Sequence, residues 1–268
     1  MLSFPLFKKT FKSHIKMLVI FAAILAMYMS VEISMFDPHS MDGMMTMMDM
    51  LPKEMLSAMN LDIGADTGLT GYLASYYYGF IIIMVPMIFN IIATNGAVAK
   101  MVDQGSMTCL LSVPNSRGRI VFTQALVIII DNILLMGFVT VLGLTVSHFM
   151  FPGDLDVKAF LVINAGALLM QLAVSAIGFF ASCLFNESRF SLAVGGGLPV
   201  MFLILMMLSG VSDNLKDVRY ATMYSLFDPK ELLNWNSQAL LCLGGLAAIV
   251  VVLYGLGMMI FRKKDLPL

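Results

Sequence analysis

Three groups of residues in this chain have the types and spacing to do chemistry. Asp131 and Asn132 sit side by side in a long apolar stretch, and Glu32 lies near the end of another. Carboxylates in such places serve ion paths and proton relays. A single central acid without a Lys, Arg or His beside it is thin support for a relay. Asp131 is therefore open to three uses: pairing with another helix, lining a translocation path together with Asn132 and Asn90, or coupling to protons. The second group is the methionine-rich run 39–50, with six methionines and His39. Thioethers select Cu(I), which suggests metal capture. The run has one histidine and no cysteine, however, and the chain has 26 methionines in all. Flexible methionines that pack on the bundle or grip varied apolar ligands are the simpler expectation. The third group is Gly195-Gly196-Gly197. A phosphate cradle needs G-x-x-x-x-G-K-[ST], and no lysine follows these glycines. Close helix packing, or a bend with Pro199 nearby, explains them better. Cys109, Cys183 and Cys242 have no zinc-site spacing, and no external pair suggests a disulfide. The residues indicate no catalytic group, bound cofactor or metal site in this chain.

The elements that must position these residues follow from composition. The 268 residues are 59% hydrophobic and 12% charged, with mean hydropathy +0.89. A soluble domain carries about 25% charged residues. So few charges cannot cover a globular surface, which argues against a soluble enzyme, a disordered chain or a nucleic-acid partner. Six apolar stretches, 17–36, 72–93, 120–151, 159–185, 190–211 and 238–261, are each long enough to cross roughly 30 Å of hydrocarbon. The alternation of membrane β-strands is absent. The fold class is an all-α membrane protein with six transmembrane helices in a single domain, 1–268. The first stretch has a basic lead but no small-residue cleavage site, so it reads as a retained anchor.

Residues 1–16 read as an amphipathic interfacial helix. Phe7, Phe11, Ile15 and Leu18 share one face, and Lys8, Lys9, Lys12 and Lys16 suit anionic lipid. Eleven basic residues fall on one side: these four lysines, Lys100, Arg117, Arg119, Arg189, Arg262, Lys263 and Lys264. Lys53, Lys158, Lys216, Arg219 and Lys230 fall on the other. The bias predicts cytoplasmic termini and a multi-pass plasma-membrane protein. Segment 37–71 is then an external loop.

Segment 97–119 is the largest cytoplasmic connection. Val98, Met101 and Val102 mark a helical face, Gly105-Ser106 offers a stop and a restart, and 107–111 forms a second short turn of helix. External segment 212–237 is aromatic, with Tyr224, Phe227 and Trp235. Its residues suit an interfacial aromatic anchor.

Segment 99–117 resembles the cytoplasmic loop of ABC-2 type transporter permeases. Asp103, Gly105, Ser106, Leu110, Leu111, Pro114, Ser116 and Arg117 match that pattern in order, with Asp103 where Glu is more usual. The resemblance implies that Val98, Met101, Val102, Asp103, Gly105, Leu110, Leu111 and Arg117 couple the spans to a separate ABC ATPase. That partner supplies ATP and Mg. The resemblance also implies that external segment 212–237 dips into the membrane as a gate. Two permeases, forming a homodimer, would join two ATPases and export amphipathic or hydrophobic cargo. The six-span form with a methionine-rich loop is similar to permeases that export phenol-soluble-modulin-like or antimicrobial peptides. Two rivals remain at this stage: a stand-alone ion-coupled transporter or channel using Asp131, and a copper-handling membrane protein built on 41–50.

Overall fold

A computed structural model describes residues 2–36, 68–111, 116–211, 213–233 and 237–264. The methionine run 41–50, Pro114 and Trp235 lie outside these residues, and of Leu111 only the backbone is described. Among the described residues all regular structure is helical.

Six segments are long and apolar enough to cross a membrane. Helix α1 spans Phe4–Met35. The second span begins as α2 (Leu69–Tyr76), passes through one π-helical turn (Tyr77–Ile81) and continues as α3 (Ile82–Ala97). Two short helices follow, α4 (Ala99–Asp103) and α5 (Ser106–Leu111). The long helices α6 (Arg117–Met150), α7 (Val157–Leu184) and α8 (Ser188–Val211) complete the middle of the chain. Two 3₁₀ segments (Asp213–Ala221 and Met223–Leu226), the short α9 (Pro229–Leu233) and α10 (Ser237–Lys263) finish it.

The first element differs from the sequence expectation. The interfacial helix 1–16 and the first span are one uninterrupted helix, α1. Pro5 stands in its first turn, where a proline costs no hydrogen bond. No Gly or Pro lies between it and Met35 to break the helix. The face that packs inward carries Leu6, Thr10 and His14, while Ile15 of the expected apolar face is exposed. Helix α1 runs parallel to α6. The Ser3 backbone N–H donates to Thr123 Oγ1 at 3.1 Å, and Ser34 Oγ donates to Met150 Sδ at 3.8 Å near the other end. Thirty-two residues at 1.5 Å each make α1 about 48 Å long, so it projects beyond the hydrocarbon.

Helix starts are conventional where the chain must turn sharply. Ser116 Oγ accepts from the Arg119 N–H at 3.3 Å, and Asp156 Oδ1 accepts from the Lys158 and Ala159 N–H groups at 2.9 and 3.2 Å. Gly153 (φ 93°) provides the positive φ in the tight turn between α6 and α7.

Helices α3 and α7 are the most enclosed, and α1, α8 and α10 are peripheral with much apolar surface exposed. The triple glycine works at this level. A Cβ on Gly195 would lie 3.0 Å from the Gly178 Cα, so α7 and α8 meet backbone to backbone. We expect Gly195→Leu to cost about 1–3 kcal/mol through overpacking. A lowered melting temperature of the detergent-solubilised protein would register it; an unchanged one would show that α8 is free to move away.

Candidate functional site

The α4–α5 loop is built into one end of the bundle. Val98 is a break rather than part of a helical face: its backbone (φ −133°, ψ −59°) leaves the α3 path, and its side chain is buried. Gly105 (φ 69°) ends α4 in the left-handed region, and α5 begins at Ser106. Val98 and Met107 are buried in a core with Leu6, Ile120, Phe179 and Phe261, and Met101, Val102 and Leu110 pack partly against it. Lys100, Asp103, Gln104, Gly105 and Ser106 are exposed. The loop therefore has an anchored apolar underside and a polar tip.

Hydrogen bonds lock that underside to two other segments. The Ala99 N–H donates to Ser182 Oγ at 2.9 Å, and the Ser188 N–H donates to Asp103 Oδ2 at 3.4 Å. Asn95 Nδ2 donates to Ser188 Oγ at 2.9 Å. Arg117 Nη1 donates to the Lys264 carbonyl at 2.7 Å. Lys264 Nζ in turn donates to the Cys183 and Leu184 carbonyls at 3.1 and 2.7 Å. These are end carbonyls of α7, where a cation is favoured. Partial burial removes water from the Lys264 ammonium and lowers its pKa from the ordinary lysine value. The α7–α8 turn, the C-terminal tail and the loop thus form one clasp. Sequence reasoning singled out Asp103 and Arg117. It missed Ser182, Ser188 and Lys264, because hydroxyls and tails carry no sequence signal for a contact some 80 residues away.

The second group lies inside the bundle. Pro86 has no N–H, so the Ile82 carbonyl loses its helical donor. Gln171 Nε2 supplies one from α7 at 2.8 Å, and also lies 3.2 Å from the Ile83 carbonyl. Asn90 Nδ2 donates to Gln171 Oε1 at 3.2 Å, and Asn90 and Asn132 exchange hydrogen bonds at 3.0 and 2.8 Å. Asn90, Asn132, Asp131 and Gln171 are all fully buried or nearly so. This network ties α3, α6 and α7 together.

Asp131 has the basic companion that the sequence reading did not find. His14 Nδ1 lies 2.6 Å from Asp131 Oδ2, with the carboxylate wholly buried. Asp131 Oδ1 has no hydrogen-bond partner. Thr10 Oγ1 accepts from Gln124 Nε2 at 3.2 Å one turn away. His14 was placed outside the membrane because 4–16 looked interfacial; the 6-10-14 spacing opposite the lysines was the available signal. An acid at the centre of a bilayer costs about 2.5–3.5 kcal/mol on insertion scales, and a hydrogen-bonded partner offsets that cost only while it is present.

The aromatic segment packs into the opposite end. Tyr224 and Phe227 are buried, and Tyr224 Oη donates to Met87 Sδ at 3.2 Å. A Cβ on Gly166 of α7 would come within 2.9 Å of Leu232 and 3.1 Å of Phe227. Arg219 Nη2 donates to Asp228 Oδ2 at 2.8 Å and staples the segment to itself. Tyr220, by contrast, is exposed.

A model of the ABC-2 family transporter proteins matches residues 4–266, which is nearly the whole chain. The chain belongs to the ABC-2 transporter family. No curated protein matches it. Family membership makes this chain the transmembrane subunit of an ABC transporter, a multi-pass membrane component with an ABC ATPase as partner. Such subunits normally have no ATPase of their own.

The intramembrane pair in this permease makes a test. His14→Leu alone leaves a buried unpaired carboxylate and should cost about 3–5 kcal/mol, whereas His14→Leu with Asp131→Leu should recover most of that loss. Thermal melts of the purified single and double variants read the cycle. A double variant as weak as the sum of the singles would mean that the two residues act separately.

Proposed function

We propose that this permease exports an amphipathic or hydrophobic cargo, driven by ATP hydrolysis in its partner. The supporting observation is the clasp. The exposed tip of the α4–α5 loop is the part a second subunit can meet, while Ala99 is bonded to the end of α7, Asp103 reaches back to the start of α8, and Arg117 at the start of α6 holds the tail of α10. A displacement at the tip therefore reaches three spans at once.

In this reading the loop end and both termini face the cytoplasm, as the basic residues favour. Two ATPases, each with ATP and Mg, hold two copies of this chain as a homodimer. Closure of the ATPases on ATP pushes the tips together. The clasps turn the spans, and a cavity between the permeases opens outward. Peptides of the cytolytic or antimicrobial kind suit the class of cargo, since they pair an apolar face with charge. The external methionines of 41–50 then provide an adaptable apolar surface.

Two measurements test this. Asp103→Lys with Leu110→Asp reverses the charge of the tip and spoils its packing. It should abolish co-purification of the ATPase while membrane insertion stays normal; intact co-purification would remove the coupling role. Native mass measurement of the solubilised complex should give a 2:2 assembly. A permease that transports without any nucleotide-binding subunit would overturn the reading and make Asp131 the residue to titrate.

A further inference from the structure

At the end of α1 away from the loop, a carboxylate is held among tyrosines with no counter-ion among the described residues. Glu32 is half-buried, and Tyr72 Oη donates to its Oε2 at 3.0 Å. Among the described residues no Lys, Arg or His pairs with it, and its second oxygen accepts no hydrogen bond. It lies in the last turn of α1, where the helix dipole disfavours negative charge. It also belongs to a membrane-spanning helix, where acids are disfavoured unless something compensates them. The neighbours are aromatic. The Tyr72 and Tyr76 rings lie tilted at 35° with centroids 4.5 Å apart, and Phe36 lies 5.5 Å from Tyr72. Tyr28, one helical turn before Glu32 and on the same face, is exposed.

We propose that Glu32, Tyr72, Tyr76 and Tyr28 form a binding site for the ammonium or guanidinium end of an amphipathic cation. The carboxylate supplies the counter-charge and an acceptor oxygen. The electron-rich faces of the tyrosines attract the cation further, and the exposed apolar flank of α1 (Met27, Val31) accommodates its alkyl part. The site sits at the end opposite the ATPase-facing clasp, where an exported cation would be handed over. The inference rests on the export reading for its role as cargo recognition, and on geometry alone for its existence.

The test uses the full chain in phosphatidylglycerol nanodiscs with a photoreactive dodecylammonium probe, with labelled residues mapped by mass spectrometry. Labelling should concentrate at 28–36 and 69–80, and dodecylamine should compete where dodecanol does not. Glu32→Gln should weaken labelling by about tenfold, the loss of one charge contact with its cation, and Glu32→Asp should retain most of it. Tyr76→Leu should weaken labelling and Tyr76→Phe should not, which decides the matter if the Glu32 variant folds poorly. Undiminished labelling in Glu32→Gln and Tyr76→Leu, or equal competition by dodecanol, would overturn the site. Discs containing phosphatidylethanolamine identify the source of the cation: displacement of the probe assigns the site to a lipid headgroup, and its persistence assigns it to cargo. ATP turnover of the complex with its ATPase is measured in parallel. Glu32-dependent labelling without amphipath-stimulated turnover would uphold the site and reject the export reading, and the converse would do the reverse.

Discussion

A proline inside a membrane helix leaves a carbonyl that lipid cannot satisfy, and the arrangement of this permease depends on how that debt is met. Pro86 frees the Ile82 carbonyl, and the Gln171 amide reaches across from α7 to cap it. That contact fixes the depth and rotation of α7 against α3. The other end of the same amide receives Asn90, and Asn90 exchanges hydrogen bonds with Asn132 of α6. Three spans are thereby held in register by side-chain amides whose only alternative is hydrocarbon. Small residues then let the backbones close: Gly195 against Gly178 brings α8 onto the same block.

His14 and Asp131 extend this logic to the first helix. A buried pair at 2.6 Å sets the register of α1 on α6, and the Thr10–Gln124 contact repeats it one turn away. Because α1 is continuous from Phe4, its basic face and its intramembrane face are parts of one rigid rod. An exposed lysine stripe and a buried histidine are separated by helix rotation rather than by distance along the chain.

The clasp connects this block to the α4–α5 loop. Met107 and Val98 are part of the lower core, so the loop is an extension of the packed interior and not an appended linker. Its bonds run to backbone carbonyls and N–H groups at helix ends, where Arg117, Lys264, Ser182 and Asp103 satisfy groups that helices cannot pair internally. Such contacts resist bending at the places where the proposed coupling would bring force from a partner subunit.

Much of this was legible from residues alone. Long apolar runs determined six spans, because only a hydrogen-bonded helix of about 20 apolar residues can cross a bilayer. The order Asp103, Gly105, Ser106, Leu110, Leu111, Pro114, Ser116, Arg117 carried the resemblance to ABC-2 permeases, and Gly105 was legible as the stop between two short helices, because ending a helix in the left-handed region is a local backbone requirement. Asn90 and Asn132 were legible as polar residues within spans, grouped with Asp131 as a path, but not that they bond to each other and, through Asn90, to Gln171. Only the tertiary structure decided the rest. That α1 is one helix, that His14 rather than another span answers Asp131, and that Lys264 and Ser182 close the clasp all depend on which faces meet across 80 to 120 residues of chain. Periodicity shows that a face exists, and packing alone chooses what lies against it.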